Sequence, residues 1–243
     1  MTNLVPYGGH WADRINRRTK SKLAALAAGG SRLLISEENI IGGFNDLMSG
    51  PNRAMIYPKS LERLTRLAQL VVPYPVHIAM AVREPRSYYV PVYNQLLLSG
   101  RFQTWERFSK GLDSTAVKWS DILCPIAEIP DVAAVSIWRY EAYHEVFPEV
   151  LNTLLGRPRP DIPSRLEKRM HPGLSEQALQ ACCIWHAAGY GGRLVAAARE
   201  DFPISDVNPK FAPWPDELLR ESQAAYGQDI EALVRAPKIT VLE

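Results

Sequence analysis

Arg83 is the residue whose position most clearly suggests chemistry, because it ends an apolar run of strand length, Val76–Val82, and precedes an aromatic helical pattern. In open α/β sheets, ligands bind at the carboxyl ends of the strands. A guanidinium there, beside a helix N-terminus whose free N–H groups also attract negative charge, suits a phosphate. The spacing therefore predicts an anion site at Arg83, and the alternative is an ordinary surface arginine at a strand end.

The elements that must position Arg83 follow from hydrophobic periodicity and from helix start and stop signals. Strands are predicted at 32–36, 76–82 and 132–138, and helices at 13–28, 60–70, 88–98, 118–127 and 143–155, with a short amphipathic piece at 104–112. Strands and helices alternate through residue 156. This pattern predicts an α/β fold with a parallel sheet and helices on both faces.

The remainder of the chain is predicted to be helical, with helices at 175–188, 193–199 and 216–234. We therefore expect one domain over residues 1–243, with an α/β part at about 1–156 and a helical part at about 157–243. The segment 37–58 is rich in glycine and proline and reads as a long loop. Loops of this length inside a compact domain are often functional.

Composition limits the classes of partner. The chain has a net charge of only +2, with 22% charged residues, so no global field indicates nucleic acid or an anionic membrane, and anion recognition must be local. Three cysteines, two of them adjacent, do not form a disulfide framework and favour a reducing compartment. Neither a signal-peptide core nor a bilayer-length apolar segment is evident, so we expect a cytoplasmic location.

Three segments, in this order, resemble the sulfotransferases that use 3′-phosphoadenosine 5′-phosphosulfate, especially their divergent bacterial branch. The segments are LLISEENIIGG (33–43), VREPRSYYVPVYNQ (82–95) and WRYEAYHEVFPEVLNTLLG (138–156), and FAPWPDELLRESQAAYGQDIEAL (211–233) is similar to that branch's closing helix. The resemblance implies the P-loop nucleotide-kinase-like fold of these enzymes. It also implies transfer of a sulfuryl group from the nucleotide donor to a hydroxyl of a small molecule, saccharide or lipid, without a metal.

In that family, the arginine after the second of these strands and a serine eight residues later hold the 3′-phosphate of the donor. The arginine position corresponds to Arg83, whereas the serine position corresponds to Pro91, which has no hydroxyl. A proline inside a helix also removes a backbone hydrogen bond, at a cost of about 3 kcal/mol. Either the helix starts late, with Pro91 in its first turn, or the anion site is weakened.

Glu38 is the candidate catalytic base. The resemblance aligns it with the acidic residue that follows the corresponding strand in the bacterial branch. A carboxylate there could take the proton from an acceptor hydroxyl as the hydroxyl attacks sulfur. The alternative is that Glu38 caps the loop backbone together with Asn39.

The largest departure from the family is the phosphate loop, a glycine- and lysine-containing turn after a first, central strand. The nearest candidates, residues 7–10 and 14–19, do not follow a strand. Without a central first strand, the strands at Arg32 and Val76 are expected to face a gap. Residues upstream of Met1 are then missing, another element fills the gap, or the sheet is rearranged. The second hypothesis is accordingly a non-catalytic module that keeps the fold but has lost the donor site.

Two further groups of residues are interpreted structurally. Cys182, Cys183 and His186 cluster at helical spacing as soft-metal ligands, but one isolated helix makes a poor zinc site, so core packing is preferred. The run 139–141, RYE, resembles the family's turn that ties a strand end to the following helix.

Overall fold

The computed structural model describes residues 10–28, 32–37, 39–43, 56–159, 162 and 173–243, with the backbone alone for 10–16 and 27. The helices are α1 (His10–Ala28), α2 (Ser60–Val71), α3 (Pro85–Leu98), α4 (Trp105–Ser109), α5 (Ser120–Ala127), α6 (Tyr143–Leu155), α7 (Glu176–Ala187), α8 (Leu194–Asp201) and α9 (Asp216–Val234). The strands are β1 (Val76–Val82), β2 (Val132–Arg139) and β3 (Ile239–Leu242), and a 3-10 turn occupies Tyr140–Ala142.

The strands form one parallel sheet in the order β1-β2-β3, which confirms the predicted parallel α/β architecture. β1 pairs with β2 along its length, from Val76 opposite Val132 to Val82 opposite Arg139. The anticipated gap therefore does not lie between these two strands. Among the described residues, no strand pairs with the other edge of β1.

Helices cover both faces of the sheet, as predicted. Successive residues of a strand point to opposite faces, and Ile137 and Trp138 of β2 belong to different cores. Ile137 lies in the main core, whereas Trp138 packs with Val146 and Val150 of α6. The sheet is thus sandwiched between α6 on one side and the larger helical layer on the other.

The prediction that everything after residue 156 is helical is wrong at one point, because β3 returns the chain to the sheet. β3 pairs with the free edge of β2, with Trp138 opposite Leu242. Lys238 precedes it at a φ of 60° and anchors the turn by donating from Nζ to the carbonyl oxygens of Ala127 and Val132, at 3.0 and 3.3 Å. Four residues are too short for a clear alternating pattern, so sequence periodicity missed this strand.

The predicted strand at 32–36 is also wrong. This segment has no ladder partner in the part of the chain that the structure describes, and Leu33, Leu34 and Ile35 are 42%, 51% and 47% exposed. Arg32 instead donates from its guanidinium to the carbonyl oxygens of Thr153 (2.6 Å) and Leu154 (3.1 Å), at the C-terminal end of α6. The apolar run has the composition of a strand, but composition alone does not form a ladder, and Arg32 holds this segment at the end of α6.

Helix boundaries agree closely with prediction where capping signals are strong. The helices at 143–155 and 216–234 have the predicted bounds, and α6 ends at Gly156 with a left-handed φ of 67°. By contrast, α3 begins at Pro85 rather than at residue 88. The predicted loop 37–58 lies partly outside the described residues, which include only 37, 39–43 and 56–58 of it.

Candidate functional site

Arg83 lies at the carboxyl edge of the sheet, directly after the last residue of β1. Its half-buried guanidinium lies over the ring of Tyr140, 4.5 Å from the ring centroid, and Tyr140 follows the last residue of β2. Its Nε donates to Ser87 Oγ at 3.0 Å, and its carbonyl oxygen accepts from Trp119 Nε1 at 2.8 Å. Within the described residues, the bond from Nε to Ser87 is the one hydrogen bond that the Arg83 guanidinium makes. Both Nη atoms therefore remain for a ligand.

The N-terminus of α3 is closed by Glu84, a carboxylate that is only 5% exposed. Its two oxygens accept from the backbone N–H groups of Arg86 (2.9 Å) and Ser87 (2.7 Å), and its carbonyl accepts from Tyr88 N at 3.0 Å. Pro85 has no N–H. The free helix N–H groups predicted beside Arg83 are therefore absent, and any anion must be held by the Arg83 side chain.

A serine hydroxyl does lie beside Arg83, but it belongs to Ser87 and not to position 91, where the resemblance expected it. Ser87 Oγ accepts from Arg83 Nε and donates to the carbonyl oxygen of Glu84 at 2.9 Å. Pro91 lies inside α3, so the hypothesis that this helix starts late is wrong. The signal for Ser87 was present in the sequence, because a serine in the first turn of a helix lies near the residue that precedes the N-cap. A predicted start of α3 at Pro85 would have placed Ser87 in the first turn, close to Arg83.

The RYE run ties the end of β2 to the start of α3 and lies beside α9. Glu141 accepts from Glu84 N at 3.0 Å, and the Arg139 guanidinium lies 5.9 Å from the ring centroid of Tyr226 in α9. Tyr226 donates to the carbonyl oxygen of Val82 at 3.3 Å. Burial raises the pKa of Tyr226 above its usual range, and the Glu141 carboxylate adds to this shift. Tyr226 is therefore a fixed hydrogen-bond donor at this edge of the sheet.

A half-buried tyrosine, Tyr88, lies next to Ser87. Tyr88 donates to the hydroxyl of Tyr57 at 3.0 Å, and Tyr57 packs at 6.1 Å from Trp119, ring centroid to centroid. Burial raises the pKa of Tyr88 well above its usual range, and Tyr57 raises it further. The Tyr88 hydroxyl thus remains protonated near neutral pH, so it is no candidate for a general base.

Arg86 was not selected from the sequence, although it is only 7% exposed. Its guanidinium lies 4.8 Å from the ring centroid of Trp214, whose Nε1 donates to the Arg86 carbonyl oxygen at 3.1 Å. Its Nε and Nη1 have no hydrogen-bond partner among the described residues. Burial lowers the pKa of Arg86, while the charges of Glu84, Glu221 and Asp113 oppose that shift.

The three carboxylates make the surroundings of Arg86 negative. They disfavour an anionic ligand beside Arg86, so Arg83 is the better candidate of the two for an anion site.

Glu38, the predicted base, lies outside the described residues. The neighbouring carboxylate, Glu37, does bond to the loop backbone at Asn39. Glu37 Oε1 accepts from Asn39 N at 3.2 Å.

The cysteine and histidine cluster on α7 does not converge. Cys182 Sγ lies 3.7 Å from the carbonyl oxygen of Leu194, and Cys183 Sγ lies 4.0 Å from that of Gln103. His186 stacks on Phe102 with ring centroids 4.4 Å apart. In the described part of the chain, no three His, Cys, Asp or Glu side chains are grouped to hold a metal ion.

The fold and site define an α/β protein with a parallel three-stranded sheet and an arginine at its carboxyl edge. Comparison with protein-family models, curated proteins and solved structures found nothing that matches this chain. No helix in the described ranges is both long and apolar enough to cross a bilayer.

Proposed function

We propose that this protein is a sulfotransferase-like enzyme that binds 3′-phosphoadenosine 5′-phosphosulfate and transfers its sulfuryl group to a hydroxyl acceptor. The observation that carries the proposal is the placement of Arg83 at the carboxyl end of β1, with a serine hydroxyl bonded to it. Ligands of open α/β sheets bind at this edge, and a guanidinium is suited to a phosphate. The family resemblance supplies the identity of the donor.

Arg83 and Ser87 are the residues we expect at the 3′-phosphate. The ring of Tyr140 holds the guanidinium on one side, and the bond to Ser87 fixes Nε. A guanidinium held in this way loses less conformational entropy when it binds a phosphate. Ser87 Oγ can turn its hydrogen from the Glu84 carbonyl to a phosphate oxygen, because a hydroxyl rotates freely about its C–O bond.

Glu38 is the proposed base of the transfer step. The acceptor oxygen forms a bond to sulfur, the bond from sulfur to the donor's phosphate oxygen breaks, and the acceptor proton passes to the carboxylate. A Glu38→Gln variant should bind the donor as the wild type does and lose transfer. If Glu38→Gln keeps full transfer activity, Glu38 is not the base.

The direct test is binding of adenosine 3′,5′-bisphosphate, followed by thermal unfolding and by calorimetric titration. At a hundredfold excess over Kd, the ligand should add about 2.7 kcal/mol to the free energy of unfolding. This corresponds to a rise in Tm of about 5–10 °C for a chain of this size. Adenosine 5′-monophosphate, which lacks the 3′-phosphate, should shift Tm much less. The same small shift from both nucleotides would remove the proposal.

The matched variants are Arg83→Gln and Arg220→Gln, the latter at an exposed position on α9. Losing a charge-assisted bond costs about 1.5–3 kcal/mol, so Arg83→Gln should weaken binding of the bisphosphate by about 10- to 100-fold. Arg220→Gln should leave it unchanged. Equal affinities for the two variants would show that Arg83 is not the phosphate ligand.

The alternative function is a non-catalytic module with the same fold, and two observations favour it. Pro91 puts no hydroxyl at the family's serine position, and Glu84 closes the N-terminus of α3. A transfer assay with sulfur-labelled donor separates the two functions. Neither binding of the bisphosphate nor transfer to a panel of hydroxyl acceptors is expected of a module that has lost the donor site, whereas labelled product supports the enzyme.

A further inference from the structure

One segment near the start of the chain carries an excess of positive charge. Residues 14–36 contain six basic residues and no acidic residue, although the whole chain carries a net charge of only +2. Five of the six lie on α1, between positions 14 and 22. The net charge of the whole molecule is therefore small, whereas the local electrostatic potential at α1 is strongly positive.

α1 presents this charge to solvent. Arg18, Lys20 and Lys22 are exposed, and Leu23 is only partly buried where α1 packs against α2. Arg18, Lys22 and Leu26 follow one another at four-residue spacing and so form one ridge of the helix. Leu26, at the end of this ridge, is 62% exposed.

Apolar side chains are also exposed beside the basic helix. Val72 and Tyr74, which follow the C-terminus of α2, are 48% and 43% exposed. They line a shallow cavity of about 290 Å³ together with Lys20, Leu23 and Ala24 of α1. The surface made by α1 and the 72–74 turn, called the α1 surface below, thus combines ammonium and guanidinium groups with uncovered apolar groups.

We propose that the α1 surface docks this protein onto an anionic lipid bilayer. Charge complementarity requires a negative partner, and a bilayer interface also accepts apolar side chains to a depth of about 5–10 Å. Nucleic-acid phosphates attract the same cations, but they offer nothing to an exposed leucine and valine. The combination therefore favours a membrane, and the inference is independent of the sulfotransferase activity.

The test is co-sedimentation of the full chain with vesicles of phosphatidylcholine alone and with vesicles containing 30 mol% phosphatidylglycerol. The protein should bind the anionic vesicles and remain in the supernatant with the neutral ones. Raising the salt from 50 to 300 mM should weaken binding, because the charges are exposed and screened. Equal binding to both vesicle types, or no binding to either, would overturn the proposal.

Charge reversal provides the residue-level test. Arg18→Glu with Lys22→Glu should weaken partitioning at least about tenfold, since each basic residue near an anionic surface contributes a severalfold factor. The matched control, Lys118→Glu with Arg220→Glu, makes the same change in net charge at exposed positions away from α1 and should leave partitioning nearly unchanged. Equal loss in both double variants would show that net charge alone is responsible and would sink the proposal.

Leu26→Ser tests the apolar part without altering charge. It should weaken vesicle binding about threefold or more and keep the salt dependence. Circular dichroism of each variant checks that the helical content of the protein is retained. A titration with duplex DNA and with single-stranded RNA completes the design. Binding to nucleic acid at the same salt, with no binding to anionic vesicles, would identify a different partner and refute the membrane assignment.

Discussion

Glu84 and Ser222 join the two helices that meet at the carboxyl edge of the sheet. One carboxylate caps the first turn of α3 and also accepts the hydroxyl hydrogen of Ser222 from α9, and both residues are buried. The start of α3, and with it the position of Arg83 and Ser87, therefore depends on a helix more than 130 residues further along the chain.

Replacing Glu84 should consequently destabilise the whole fold. Glu84→Ala removes the cap of α3 and leaves buried donors without an acceptor, so the free energy of unfolding should fall by about 2–4 kcal/mol. Ser222→Ala removes one of these bonds and should cost about 1 kcal/mol. Urea unfolding of both variants and of the double variant measures their coupling. Should Glu84→Ala unfold at the wild-type urea concentration, the cap contributes nothing.

Pro91 should be a site where stability can be gained. It has no N–H to donate to the carbonyl of Ser87, four residues earlier in α3, so Pro91→Ala should restore a helical hydrogen bond. We expect an increase of about 1–2 kcal/mol in the free energy of unfolding, after allowing for the looser unfolded chain. Pro158→Ala, at an exposed position after α6, is the control and should not stabilise. A loss of stability in Pro91→Ala would contradict this reading.

Arg86 should contribute little to stability despite its burial. Its Nε and Nη1 make no hydrogen bonds in the described structure, so the cost of removing them from water is uncompensated. The cation–π contact with Trp214 offsets about 1–2 kcal/mol of this desolvation cost. Arg86→Met fills a similar volume and should lie within about 1 kcal/mol of the wild type in urea unfolding. A loss of more than about 3 kcal/mol would indicate that Arg86 pairs with Asp113 or Glu221 in solution.

Cys182 should be unreactive in the folded protein. Burial raises its pKa to about 11, so at pH 8 its thiolate fraction is about a hundredfold smaller than that of a thiol with the ordinary value of 9.0. Reaction of the Cys182 thiol with a chromogenic disulfide should be slow until urea unfolds the protein. The folded state favours the protonated thiol, so this stabilisation is complete below about pH 8.5 and is lost as the pH rises towards 11.

The control for this experiment is Cys182→Ala, which should leave the slow native reaction unchanged and remove one thiol from the unfolded total. The prediction would be wrong if one thiol of the native protein reacted at pH 8 at the rate of a free thiol and this reaction were lost in Cys182→Ala.

The sequence predicted the architecture well because β1, β2 and the helices near them carry strong local signals. Val76–Val82 is an uninterrupted apolar run, and Gly156 stops α6. The two errors concern strands, whose existence depends on partners elsewhere in the chain. Residues 32–36 have the better strand composition and no partner, whereas Ile239–Leu242 is short but meets the free edge of β2.

The candidate site was predicted in part. Arg83 could be located because it follows a clear strand, whereas Ser87 depended on the exact start of α3, which Glu84 sets through its contact with α9. Arg86 could not be found from the sequence, because nothing in the local pattern shows that an arginine in the first turn of a helix will be covered by Trp214. The start of α3 and the burial of Arg86 both depend on contacts between residues that are distant in the sequence.

The pairing of β3 with β2 has a consequence for how the chain folds. Residue 239 must come to lie beside residue 135, so the sheet closes a loop of about 100 residues before its third strand is paired. Contacts so distant in sequence slow folding, and β2 keeps one bare edge until they form. During synthesis, that edge stays open until residues 239–242 have left the ribosome.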